Sequence, residues 1–205
     1  MSKPLFTLVD VRAIVQLLDE RTQLWHTVEP PAGQEGSLER LVEMLHAANF
    51  TLWHAEDEAR RADADIAAVK RQIDRVNQVR NDATERIDAF LLQHLAESGA
   101  VESGEQHSET PGMMLDRLSI LSLKLFHTRE ELRRSGAPAG HRARNAERLA
   151  VLERQRDDLA CCLERLWADL CAGRRFFRQY RQLKMYNDPE LNPALYGEKT
   201  RGNET

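Results

Sequence analysis

Asp116 and His127 head the residues of this sequence that could do chemistry, because both fall on a helix face where apolar side chains are expected. At about 100° per residue, Asp116, Ile120, Leu123, His127 and Glu130 share one face of the segment from Pro111 to Glu131. Leu118, Leu121, Leu125 and Leu132 form a second apolar stripe. A helix with two apolar faces is covered on both sides, and an ionisable group turned inward needs a partner or a task. Aspartate and histidine together offer acid–base catalysis or metal ligation. Standing three turns apart, they need groups from other helices to act as a unit. Lys124 adds a cation to the same helix. The plainer alternative for Asp116 is structural pairing with Arg117 or Arg80.

Three further segments carry candidates. Between Leu45 and Arg60, His46, Phe50, Trp53, His54 and Asp57 lie on one side of a helix, and imidazole with carboxylate suits a divalent metal or an acid–base pair. No Glu-x-x-His pair recurs on two helices, as a di-iron carboxylate bundle requires. Asn77, Arg80, Asn81, Glu85 and Asp88 cluster around an apolar seam, and a guanidinium flanked by amides is chemistry for phosphate or carboxylate recognition. From Arg174 onward basic and aromatic residues interleave: Arg181 and Lys184 to hold phosphates, Tyr186 and Asn187 at the exit before Pro189. Each group also has a structural reading as interhelix hydrogen bonds, salt bridges, or cations complementing a helix C-terminus.

The elements that must position these groups read as helices almost throughout. A periodic segment from about Leu8 to Thr27 follows Thr7 and Asp10, which have capping-box spacing. A Pro- and Gly-containing linker precedes Ser37, a cap for a helix from Leu38 to about Ala62. Asp63 or Asp65 caps a third, from about Ala64 to Glu97, with Arg80 at a seam position. Residues 98–109 read as a flexible loop. Thr110 as N-cap and Pro111 as first helical residue open the fourth helix. After a turn at 135–140, a final helix carries a seam from Leu149 through Arg156, Gly173 and Phe177 to Tyr180, and stops near Asn187 before Pro189. Residues 194–205 read as a disordered tail and no strand pattern stands out. The expectation is one all-α domain over 1–193: a bundle of about five helices, several long and with heptad-like seams, its main part spanning 38–187.

The chain has 205 residues, 41% hydrophobic and 30% charged, with a formal net charge of -4. That balance argues against a dedicated nucleic-acid partner, which would show a strong basic excess. No run of about 18 apolar residues is present, so a transmembrane segment is not expected and the chain is read as cytoplasmic. Its 3 cysteines, Cys161, Cys162 and Cys171, form neither a disulfide framework nor a zinc motif. There is no phosphate-binding Gly-x-x-x-x-Gly-Lys loop, Gly-x-Ser-x-Gly elbow, dinucleotide fingerprint or His-Glu-x-x-His.

The segments Leu45 to Arg60, Asn77 to Asn81 with Arg86-Ile87-Asp88, Glu109 to Glu131, and Tyr180 to Pro193 resemble a bacterial family known as domain of unknown function 4254. The resemblance implies no activity. It does imply proximity to glycosyltransferases of cell-surface polysaccharide assembly, which is association rather than mechanism. The leading expectation is therefore a protein of surface-glycan biosynthesis that binds, or acts on, a phosphorylated or nucleotide-linked sugar in a polar bundle cavity. Arg80, Lys124 and Arg181 would meet the anion; His54, Asp57, Asp116 and His127 would supply acid–base groups or hold a divalent ion. His46, Trp53, Asn77, Asn81, Asp88, Lys184, Tyr186 and Asn187 complete the ligand-binding set. From a different class comes a non-catalytic partner of a glycosyltransferase, docking through a patch with Trp25, Trp167, Phe176 and Phe177. A metal-dependent all-helical nucleotide pyrophosphatase is a third reading, weakened by the lack of paired Glu-x-x-Glu spacing. The seams would close equally well within one chain or across a homodimer.

Overall fold

The computed structural model describes residues 8–31, 36–61, 63–100 and 104–181. Five helices follow in order: α1 (Val11–Trp25), α2 (Leu38–Glu58), α3 (Ile66–Glu97), α4 (Pro111–Arg133) and α5 (His141–Cys171). Their starts are set locally. Asp10, Ser37, Asp65 and Thr110 each accept a hydrogen bond from the backbone N–H three residues on, satisfying one otherwise unpaired donor of the first turn. The first helix therefore opens at Val11 rather than at Leu8, and the second stops at Glu58, four residues short of Ala62.

α4 is the axis of the bundle. It packs against each of the other four helices, which is why its residues are apolar on two sides: Leu115, Leu118 and Leu125 on one, Leu123 on the other, all at most 1% exposed. One core cluster draws on all five helices, with Leu18, Leu45, Ile87, Leu118 and Leu163 among its members. Each such side chain contributes about 1.5–3 kcal/mol by leaving water. Arg156, at a seam position, is held by Asp19 of α1 at 2.9 Å.

Two expectations fail at the C-terminal end. The final helix ends at Cys171, not near Asn187, because Gly173 adopts φ 67, a left-handed conformation that closes helices. The chain then forms β2 (Arg175–Phe176), which pairs in parallel with β1 (Glu105–Gln106) inside the segment expected to be a flexible loop. Gly104 is needed there: a Cβ at that position would lie 2.0 Å from the Arg174 carbonyl oxygen. Phe177, immediately after, is buried in the core. Trp25 and Trp167 are buried as well, so the aromatic docking patch expected for a scaffold does not form. The tail at 194–205 lies outside the described residues.

Candidate functional site: a polar groove and a histidine cluster

The expected site residues separate into four places. The first is inside the core. His46 is 0% exposed and joins α1, α2 and α4 through a chain of hydrogen bonds whose proton positions follow from chemistry. Thr22 donates its hydroxyl to the Leu18 carbonyl (2.8 Å), so His46 Nε2–H donates to Thr22 Oγ1 (2.9 Å). The bare Nδ1 then accepts from the Ser119 hydroxyl (2.8 Å). Asn49 Nδ2 donates both to Ser119 Oγ (3.0 Å) and to Asp116 Oδ1 (2.8 Å). Burial holds the imidazole neutral, with its pKa pushed down to about 4. With both nitrogens engaged, His46 is a core link between helices, and no face of it is open to a ligand.

The second place is the start of α4. Asp88, on α3, accepts from the Thr110 hydroxyl (2.5 Å) and from the Gly112 backbone N–H (2.7 Å). It thus caps a helix more than twenty residues away in sequence. Burial raises its pKa to about 6, against the lowering effect of those two donors. This role is architectural.

The third place is a groove of about 380 Å³ between α2, α3 and α4. It brings together Trp53, Asp57, Asn77 and Arg80 from the expected set, with Asn49, Glu56 and Arg60. Asp116, half-buried, sits behind Asn49 at its inner edge. Arg60 lies within 3.8 Å of Glu56 and 3.6 Å of Asp57 and so offsets part of the charge of the acidic pair. Arg80 has no such counterpart. Its guanidinium donates to Asn81 Oδ1 at 3.3 Å, and among the described residues no carboxylate lies within ion-pair reach.

At one wall of this groove Trp53 stacks on His127, ring centroids 4.8 Å apart and planes 4° from parallel. His127 is one of three imidazoles, with His26 and His54, that each place one ring nitrogen within 4.8 Å of the others'. His26, the residue that caps α1, is not among the residues the sequence singles out. His26 Nδ1–H donates to the Thr22 carbonyl (2.7 Å) and its ring lies against Phe126, centroids 4.2 Å apart. His127 Nδ1–H donates to Glu130 (2.9 Å), and its Nε2 is buried without a hydrogen-bond partner among the described residues. Desolvation first, and the neighbouring imidazoles second, lower the pKa of His54. Desolvation likewise lowers that of His127, against the raising effect of Glu130. Asp57 acts on both as a favourable charge.

Lys124 stands apart from these groups, in a larger groove of about 850 Å³ between α4 and α5 that also holds Arg117, Arg165 and Asp158. The expected convergence of all polar faces on one cavity is thus replaced by two grooves flanking α4, with Ile120 on the ridge between them. Asn81 is buried beside Arg80, and Arg181 is exposed at the limit of the described residues. Lys184, Tyr186 and Asn187 lie outside them.

Fold and site define an all-α bundle protein with a polar interhelical groove next to a histidine cluster. A family model described as Protein of unknown function (DUF4254) matches residues 39–179, and the chain belongs to that family. No curated protein and no solved structure matches the chain. Among the described residues, no helix is long and apolar enough to cross a membrane.

Proposed function

We propose that the groove between α2, α3 and α4 binds a phosphorylated or nucleotide-linked sugar, and that the protein serves bacterial cell-surface polysaccharide assembly in the cytoplasm. The observation that carries this reading is Arg80: a half-buried guanidinium facing the groove with no carboxylate within ion-pair reach among the described residues, Glu56 and Asp57 of the same groove being engaged by Arg60. An unpaired cation held partly out of water is stabilised by an anion, and a planar guanidinium matches phosphate in two-point contact. Asn77 offers an amide beside it, and the Trp53 ring offers a flat apolar wall suited to a sugar or base. The kinship with a family whose members neighbour glycosyltransferases agrees with a sugar carrying phosphate. Chemistry on the ligand would use Asp57, which lines the groove, with His127, stacked on Trp53, and His54 of the adjoining histidine cluster.

Calorimetric titration with a panel of sugar phosphates and uridine or guanosine diphosphate sugars tests the reading. Saturable binding is expected, and Arg80→Met should weaken it roughly tenfold to a hundredfold, since hydrogen bonds to a charged group are worth about 1.5–3 kcal/mol. The helical circular dichroism of the variant should be unchanged, because Arg80 is only half-buried and holds no ion pair among the described residues. Equal binding by Arg80→Met and the parent protein would remove the groove as the site.

A further inference from the structure

We propose that His26, His54 and His127 form a binding site for a divalent transition metal of the zinc class, built at the meeting point of α1, α2 and α4. The site stands on geometry independent of the groove's ligand. Three ring nitrogens lie within 4.8 Å of one another. Ligands of a tetrahedral zinc centre, with bonds of about 2.0–2.1 Å, lie about 3.4 Å apart, so a closure of at most about 1.4 Å completes the set. His54 supplies that freedom: it is exposed and makes no hydrogen bond among the described residues, only edge-on ring contacts such as that with Phe50 at 4.5 Å.

The other two imidazoles are held in the state a metal requires. A carbonyl oxygen can only accept, so the contact of 2.7 Å with Thr22 puts the His26 proton on Nδ1 and leaves Nε2 with a free lone pair. Glu130 at 2.9 Å does the same for His127, giving the carboxylate–histidine pairing that orients metal ligands and increases their basicity. The His127 Nε2 left bare is buried and, among the described residues, without a hydrogen-bond partner, a state that costs free energy unless something binds there. Stacking fixes both rings: His127 on Trp53, His26 on Phe126. Three nitrogen donors and no thiolate favour zinc or a neighbouring first-row metal over calcium or magnesium. Three protein ligands also leave a coordination position for water or for an anionic group, the arrangement of reactive rather than purely structural zinc. His54 and His127 lie within the family-matched residues 39–179, whereas His26, the C-cap of α1, lies outside them.

The test uses the metal alone. Chelator-treated full-length protein is titrated with Zn²⁺ against a chromophoric competitor, and with Co²⁺ while visible absorption is recorded. One equivalent per chain is expected, with the Co²⁺ bands of a four-coordinate, nitrogen-rich centre. His26→Gln and His54→Gln should each weaken uptake by about tenfold or more, while His94→Gln on α3 leaves it unchanged. Both altered residues are exposed, so loss of binding would not reflect unfolding. Absence of saturable uptake, or uptake unchanged in both variants, overturns the site. Arg80→Met should retain Zn²⁺, so failure of the sugar-binding reading and failure of this one are separable.

Discussion

Replacing His46 by glutamine should make the bundle progressively more acid-tolerant than the parent protein, by about 3 kcal/mol between pH 6.5 and 4. The sign follows from where the proton goes. Folded His46 titrates at about 4, against 6.5 in the unfolded chain. Below pH 6.5 the unfolded state takes up a proton that the native state refuses, so stability falls as pH drops, until the native ring also titrates. A glutamine amide can still donate to Thr22 and accept from Ser119, and it removes the titration. Asp88 works in the opposite direction within the same window. Its native pKa of about 6 lies above the 3.8 usual for an exposed aspartate, so the native state takes up the proton first and gains stability as pH falls from 6 towards 3.8. Asp88→Asn abolishes that gain, and its stability relative to the parent protein should decline by about 3 kcal/mol over that interval. Urea unfolding at a series of pH values, in the presence of a chelator, measures both differences. Because His54 and His127 also titrate below their usual range, the comparison is between variant and parent curves rather than within one curve. Variant curves parallel to the parent's would show that neither group titrates as burial dictates.

Gly112→Ala is expected to destabilise the protein by roughly 1–3 kcal/mol, against the intrinsic preference of helices for alanine, which alone would favour it by about 1 kcal/mol. Gly112 lies in the first turn of α4 where that turn meets α3. A Cβ there would stand 2.7 Å from the Thr84 carbonyl oxygen and 2.8 Å from Asp88 Oδ1. Neither can yield easily: one is backbone, and the other is the acceptor for the Gly112 N–H itself. Relief would move α4 away from α3 and break the cap from Asp88. Thermal unfolding followed by circular dichroism decides the sign, and a stabilised variant would mean that the two helices have room to separate.

Much of the architecture could be read directly from local residues. Ser37, Asp65, Thr110 and Pro111 mark helix starts because capping is a matter of three or four neighbouring positions. The double apolar face of the segment from Pro111 to Glu131 announced a helix packed on both sides, and α4 is that helix. The failures are non-local. Gly173 falls on the heptad phase of α5, and periodicity cannot distinguish a small seam residue from one that turns left-handed and ends the helix. Phe177 continues the phase by coincidence, being buried from a different backbone path. Asp88 reads as a ligand group because nothing near it reveals the cap of a helix more than twenty residues on. His26 falls inside the segment read as helical to Thr27 yet is not singled out by the sequence, because the imidazoles that meet it come from α2 and α4 rather than from its own helix. Its one signal, a histidine four residues after Thr22, becomes meaningful only when α2 and α4 bring two more imidazoles to it. Trp53, Asn77 and Arg80 were assigned to a common site from their types, and they do line one groove. Lys124, about 80° around α4 from Asp116, faces the other.

The short pairing of β1 with β2 bears on the order in which the protein is made. Residues 105 and 106 leave the ribosome about seventy residues before their partners at 175 and 176. Throughout that interval β1 lacks its partner strand, and the core position of Phe177 stands open. Four helices can be synthesised and begin to collapse, but the bundle seals only with nearly the last of the described chain. A nascent chain stalled within α5 would therefore hold an uncorked core, a natural point for chaperone engagement.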